Sequence, residues 1–212
     1  MDREYIKVMN VSKRIKRNLV LDDVSFSLGE NMIMGLTGAN GSGKTMLLRA
    51  IAGLIRTSGK ITVGGAVTGN GAFARDIGVL IENPAFLNDF SGFENLKLLA
   101  MLQDGVRDRD IREALVSTGL DPEDRRSFRK YSLGMKERLG IAQAILKKPR
   151  LILLDEPTNG VDRSGIQLLV NLMHDLKRDG CTIITASHDR EFLEAVTDVS
   201  CEMERGKLIC RM

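Results

Sequence analysis

Eight consecutive residues, Gly38-Ala39-Asn40-Gly41-Ser42-Gly43-Lys44-Thr45, combine glycines, a lysine and a hydroxyl in the spacing G-x-x-x-x-G-K-[ST]. Glycines let a backbone wrap so tightly that successive N–H groups converge on phosphate oxygens, and a helix starting there adds the positive end of its dipole. Lys44 is then placed to reach β- and γ-phosphates, and the Thr45 hydroxyl to ligate Mg²⁺. A Gly-rich turn that happens to carry a lysine is the competing account. A second group, Asp155-Glu156, follows the apolar run LILL. Ligands gather at the carboxyl edge of buried strands in open α/β sheets. Asp155 is expected to hold the Mg²⁺ shell, and Glu156 to orient or deprotonate an attacking water. An acidic pair that merely caps the next helix is the alternative. His188 follows the apolar run TIITA and either contacts the γ-phosphate or the water, or is a solvated loop histidine. His174 lies in a Leu/Lys/Asp-rich stretch and reads as surface.

These groups need rigid supports, which the hydrophobic pattern predicts. Val24, Phe26 and Leu28 alternate with Ser25 and Ser27 as in a half-buried strand, and Ile61 with Val63 repeats the pattern. The continuous apolar runs 32–36, 77–81, 151–154 and 182–186 suit strands buried on both faces. Met46, Leu47, Ala50, Ile51 and Leu54 form one stripe of a helix with Gly53 near its end. Beyond Pro84 the texture turns helical. Ser91 and Glu94 have capping-box spacing, and Leu96, Leu99 and Leu102 continue the stripe. Ile111, Ala114, Leu115 and Thr118 mark a second helix, and Asp121-Pro122 predicts the start of a third. Leu139, Ala142, Ile145 and Leu146 form a fourth that stops before Pro149, and a further helix surrounds Ile166–Leu176. The alternation predicts a parallel α/β sheet with an inserted helical segment of roughly 50 to 60 residues.

The chain has 212 residues, 43% hydrophobic and 28% charged, an ordinary globular composition long enough for one well-buried α/β domain. A net charge of +3 is too small to argue nucleic-acid binding. No apolar run approaches the ~18 residues of a membrane span. Met1–Lys7 lacks the apolar region of a secretory signal. Cys181, Cys201 and Cys210 are too few and too unevenly spaced for a disulfide framework or zinc site, and read as free thiols of a reducing cytoplasm. Membrane-spanning, secreted disulfide-scaffold and low-complexity classes are excluded.

From Ile6 to Ile209 the chain resembles the ATP-binding subunit of ABC transporters. The motifs stand in family order: Walker A at 38–45, a signature-like Tyr131-Ser132-Leu133-Gly134-Met135, Walker B at Leu151–Glu156, a D-loop at Pro157–Asp162 and a switch histidine at His188. The resemblance implies a P-loop NTPase (RecA-like) core with a parallel sheet, an N-terminal antiparallel β subdomain and an inserted helical subdomain. It implies a single domain over 1–212, with residues 1–84 and 147–212 as core and about 85–146 as the helical insertion. It further implies Mg²⁺ and ATP bound head-to-tail between two cassettes, with Ser132 and Gly134 facing the γ-phosphate held by the other copy. Closure on ATP and opening after hydrolysis is then a ligand-driven population shift. The implied partners are a second cassette, a homodimer in the simplest case, and a separate transmembrane permease, with no nucleic acid. The implied location is cytoplasmic, peripheral on the cytoplasmic face of the membrane. The groove beside Glu82 and Phe86–Phe93 is the expected docking surface for the permease, with local core packing as the competing account of Phe86, Leu87 and Phe90.

Three departures from the family pattern bear on function. Met135 and Leu133 replace a usual glutamine and glycine, so the signature is degenerate. Ile15 stands where many members stack an aromatic ring on adenine, and offers less stacking energy. Glu82 replaces the Q-loop glutamine; as a carboxylate it is still a hard Mg²⁺ ligand, but when ionised it donates no hydrogen bond. Glutamate in the run IGVLIENPAF resembles the bacitracin- and lantibiotic-handling branch, which implies antimicrobial-peptide or drug export; a substitution without substrate meaning is the alternative. Two other function classes are weighed against a transporter ATPase. A soluble ABC-type ATPase acting on ribosomes or DNA usually carries a second fused cassette, coiled coils or basic extensions, and a small-metabolite kinase lacks this motif order.

Overall fold

The computed structural model describes residues 4–69, 71–102 and 105–211. The expectation drawn from Met1–Lys7 falls in part on Met1–Arg3, which lie outside the described residues. In chain order come β1 (Glu4–Ile15), β2 (Asn18–Gly29), β3 (Ile33–Thr37), α1 (Lys44–Ile51), β4 (Lys60–Val63), β5 (Ala66–Thr68) and β6 (Ile77–Leu80). Then follow α2 (Gly92–Ala100), α3 (Asp108–Ser117), α4 (Leu133–Ile145), β7 (Leu151–Asp155), α5 (Arg163–Arg178), β8 (Thr182–Ala186), α6 (Arg190–Val196), β9 (Val199–Glu204) and β10 (Lys207–Arg211).

Two sheets follow from two kinds of strand. β1 and β2 alternate buried and exposed residues, with Val24 and Leu28 inward, and join β4 and β5 in an antiparallel sheet of order β2-β1-β4-β5. β7 and β8 are buried at every residue, and β3 at all but its last. They run parallel in the centre of the second sheet, of order β10-β9-β3-β8-β7-β6, with an antiparallel β9–β10 edge. Leu47, Leu48, Ala50 and Ile51 of α1 are fully buried with core residues of both sheets, and α1 touches β2, β4, β7 and β8. The helix that follows the phosphate-type loop is therefore clamped on two sides. A second core forms on the other side of the parallel sheet from Leu96 of α2, Ile111 and Leu115 of α3, Leu139 and Ile145 of α4, Met173 of α5 and Phe192 of α6.

The helical insertion meets the sheet where α4 lies across β6. A Cβ on Gly78 would come within 1.9 Å of the Ala144 carbonyl oxygen and 3.0 Å of Pro149. Backbone cannot yield as a flexible side chain does, so Gly78→Ala is expected to lower unfolding free energy by about 3 kcal/mol, the upper range of an overpacked core. Urea unfolding checks this, and a loss below about 0.5 kcal/mol would mean that α4 is not seated on β6.

The capping box at Ser91 and Glu94 is present, and α1 stops before Gly53, which leaves Leu54 exposed. Leu102 lies beyond the end of α2 and is 84% exposed, so it is not part of that helix's buried stripe. The helix expected at Asp121-Pro122 does not form. The carboxylates of Asp121 and Asp124 accept from the N–H groups of Glu123 and Arg126, which fixes turns instead, and only a short 3₁₀ segment follows at Phe128–Lys130. The reading of three free thiols is also corrected. The β9–β10 register sets Cys210 directly opposite Cys201, and the two are joined by a disulfide. Cys181 is free and buried, and burial pushes its thiol up to about 12.

Candidate functional site

The loop between β3 and α1 has the backbone that its glycines anticipate. Gly38, Gly41 and Gly43 have φ of 135°, 77° and 117°. A Cβ on Gly38 would lie 2.3 Å from the Met203 carbonyl oxygen, and one on Gly43 would lie 2.6 Å from that of Val20, so two of the three are required by packing as well as by φ. Gly43 is the N-cap of α1, which has no side-chain cap and no acidic residue in its first turn, so its N–H groups are left for another acceptor. Ser42 is buried and its hydroxyl has no hydrogen-bond partner. An orphaned buried hydroxyl beside a bare helix N-terminus fits a bound phosphate chain. Lys44 is 6% exposed; its ammonium donates to the Gly38 carbonyl at 2.7 Å and the Ala39 carbonyl at 3.4 Å, and lies 3.9 Å from Glu156 Oε1.

β7 delivers the acidic pair to the same place. Thr45 Oγ1 donates to Asp155 Oδ2 at 2.6 Å. Burial raises the Asp155 carboxyl above its usual range, opposed by the Thr45 hydrogen bond. These hard oxygen donors suit Mg²⁺. Among the described residues no three His, Cys, Asp or Glu side chains are arranged to hold a metal. Glu156 has φ 53°, and its N–H continues the ladder to Ala186 at 2.7 Å. Its Oε2 accepts from the His188 N–H at 3.1 Å and meets His188 Nδ1 at 2.7 Å. Thr158 and Ser187 hydroxyls lie 3.3 Å apart beneath, tying the loops after β7 and β8 together. Ile15, Asn40 to Thr45, Asp155 and Glu156 line a cavity of about 390 Å³.

Other expected residues fall elsewhere. Glu82, just beyond β6, has φ 66° and pairs with Arg49 on the last turn of α1. It lines a neighbouring cavity of about 430 Å³ with Asn83, Glu137, Asp155, Glu156 and Asn159. Ser132 caps α4 and accepts from the Met135 N–H at 3.2 Å. Neither Ser132 nor Gly134 lines these two cavities. Leu133 packs against Gly160, where an added Cβ would lie 2.5 Å from its side chain, and Gly134 approaches the Gly160 carbonyl in the same way. The signature-like turn is thus keyed to the D-loop-like turn, and glycine at 160 makes room for leucine at 133. His174 is exposed, with Nε2 3.1 Å from the Ala195 carbonyl oxygen.

Two site residues escaped the sequence reading. Arg49 carried no motif. Glu137 is 3% exposed, and burial, then Asp155, push its carboxyl up to about 7. The available signal was its register, since a glutamate four and eight residues before Ile141 and Ile145 breaks an apolar stripe.

A family model described as ABC transporter matches residues 21–159. The chain is similar to an uncharacterised ABC transporter ATP-binding protein, YybJ, of Bacillus subtilis (strain 168), with 42% identity over 96% of this chain and 94% of the relative. It is 34% identical to a lantibiotic transport ATP-binding protein, SrtF, of Streptococcus pyogenes, over 96% of this chain and 89% of that one. A solved ATP-binding subunit of an ABC transporter superimposes with a TM-score of 0.85 at 27% identity, covering 96% of this chain and 88% of that one. With a phosphate-type loop, an acidic strand end and a facing histidine on that fold, the chain belongs to the ABC transporter family.

Proposed function

We propose that this chain is the ATP-hydrolysing subunit of an ABC transporter that moves antimicrobial peptides of the lantibiotic or bacitracin kind through a separate membrane-spanning permease. The observation that carries the nucleotide site is the buried, unpartnered Ser42 hydroxyl at the uncapped start of α1, between Lys44 and the Thr45–Asp155 pair. The peptide class rests on the resemblance to the lantibiotic transport protein and on Glu82. Residues 38–45 bind the phosphates, and Ile15 at the rim of the cavity meets the base. Thr45 and Asp155, with Glu82 from the neighbouring cavity, would hold Mg²⁺, which when bound would supply charge neutralisation at the phosphates. Glu156 accepts a proton from the attacking water or aligns it, and His188 keeps that carboxylate in place through Oε2. Lys44 leaves two backbone carbonyls for the phosphates, a stronger charge-assisted contact.

Ser132 and Gly134 stand apart from this chain's own cleft, which favours pairing with a second copy across the γ-phosphate. Residues 1–84 and 147–212 act as the core and 85–146 as the lever. Among the described residues no helix is long and apolar enough to cross a membrane, and the translocation path is assigned to a partner, reached from the cytoplasmic face. Leu87 and Phe90 are exposed and suit that contact, whereas Phe86 stacks edge-on against Phe128 at 5.2 Å as core. The purified chain supplied with Mg-ATP is expected to release free phosphate and ADP, and detergent extraction is expected to recover it with a polytopic membrane polypeptide. A phosphorylated metabolite, or ribosomal RNA in place of the membrane polypeptide, would refute the assignment.

A further inference from the structure

The inward face of α4 carries one ionisable carboxyl where packing asks for none. Glu137 is 3% exposed, next to Leu139, Gly140, Ile141 and Ala142. Its carboxyl has no hydrogen-bond or ion-pair partner among the described residues and lines the cavity of about 430 Å³ shared with Glu82, Asp155 and Glu156. The nearby cations are engaged elsewhere: Arg49 pairs with Glu82, and Lys44 faces Glu156 and two carbonyls. A buried carboxylate without a partner is costly in the empty site and gains its return only when donors or positive charge arrive. Asp155 lies across the same cavity, its Oδ2 bonded to Thr45. No three-carboxylate cage exists there among the described residues, so contact through water is the route open to Glu137.

We propose that Glu137 is a positioning residue for the divalent cation, accepting hydrogen bonds from its water shell and so tying α4, which carries Ser132 and Gly134, to occupancy of the nucleotide site. The proposal rests on the cleft being the Mg-nucleotide site. Waters held this way are polarised by the cation and fixed by the carboxylate, and outer partners of bound metals typically change affinity 10- to 100-fold. Through Glu137 the helix senses cation and phosphates together, without touching the nucleotide.

The test uses the full chain with a non-hydrolysable ATP analogue and Mn²⁺ as a paramagnetic probe. Analogue binding is first titrated in EDTA, where wild type and Glu137→Gln are expected to agree within twofold. Electron paramagnetic resonance then reports Mn²⁺ affinity of the analogue complex, expected to fall about 10-fold in Glu137→Gln. Hydrogen exchange of α4 amides is expected to slow on adding Mn²⁺ to the wild-type complex, and not in the variant. Glu137→Asp, which keeps the charge, is expected to retain part of the Mn²⁺ affinity and serves should the glutamine variant fail to fold. Unchanged Mn²⁺ affinity in Glu137→Gln, or in Glu137→Asp if that is the folded variant, overturns the role. A gain in stability of Glu137→Gln over wild type that is the same with and without Mn²⁺ would show a purely structural role and overturn the proposal too. Failure of wild type to bind the analogue in either condition would instead remove the site itself.

Discussion

Glu156→Gln is expected to slow ATP turnover by about 10³-fold, within the range for removing a positioned general base, while leaving nucleotide binding intact. Glutamine has nearly the volume of glutamate, and its amide oxygen can still accept from the His188 N–H that Oε2 meets at 3.1 Å. The left-handed backbone at 156, φ 53°, and its N–H bond to Ala186 are independent of the side-chain charge. What disappears is the carboxylate's negative charge and basicity, which let it take the proton of water. Lys44 keeps its carbonyl partners and loses a carboxylate 3.9 Å away, so its charge is freer for phosphate and ATP affinity is expected to be equal or higher. Phosphate-release assays beside equilibrium titration separate the two effects, and the variant is expected to accumulate as an ATP-dependent dimer. Undiminished phosphate release would defeat the role given to Glu156.

Lys44→Ala is expected to act on the other quantity. The ammonium is 6% exposed and aimed into the loop by the first turn of a helix clamped between two sheets. Alanine deletes a charge-assisted contact to phosphate in a poorly hydrated place, worth about 3 kcal/mol or roughly 100-fold in affinity. It also strips the Gly38 carbonyl of a donor at 2.7 Å and leaves Glu156 Oε1 without the cation that faces it. Fold and loss of affinity are read together, by circular dichroism and by calorimetric titration with ATP. A folded variant that binds ATP like wild type would show that the loop holds something other than a polyphosphate.

The residues changed in these two variants are legible in the sequence for a physical reason. A loop that cradles phosphate needs glycine where φ is positive and backbones nearly touch, as at Gly38 and Gly43, so the requirement is printed in residue type. Strands buried on both faces leave continuous apolar runs, and their carboxyl ends locate Asp155 and His188. Where local side chains competed with the backbone, the pattern misled. Asp121 and Asp124 spend their carboxylates on turns, so a plausible cap leads to no helix.

The amino-acid sequence by itself determined the phosphate loop, the doubly buried strands and the capping box at Ser91, because each is specified within a few neighbouring residues. Only the tertiary structure decided which distant groups meet. Cys201 faces Cys210 through a strand register, Leu133 seats on Gly160, and Arg49 reaches Glu82 across 33 positions. Glu137 likewise enters the acidic cavity because α4 packs against β6 and β7. Such pairings depend on how helices and sheets pack rather than on any local spacing, since burial and partnership are properties of the assembled core.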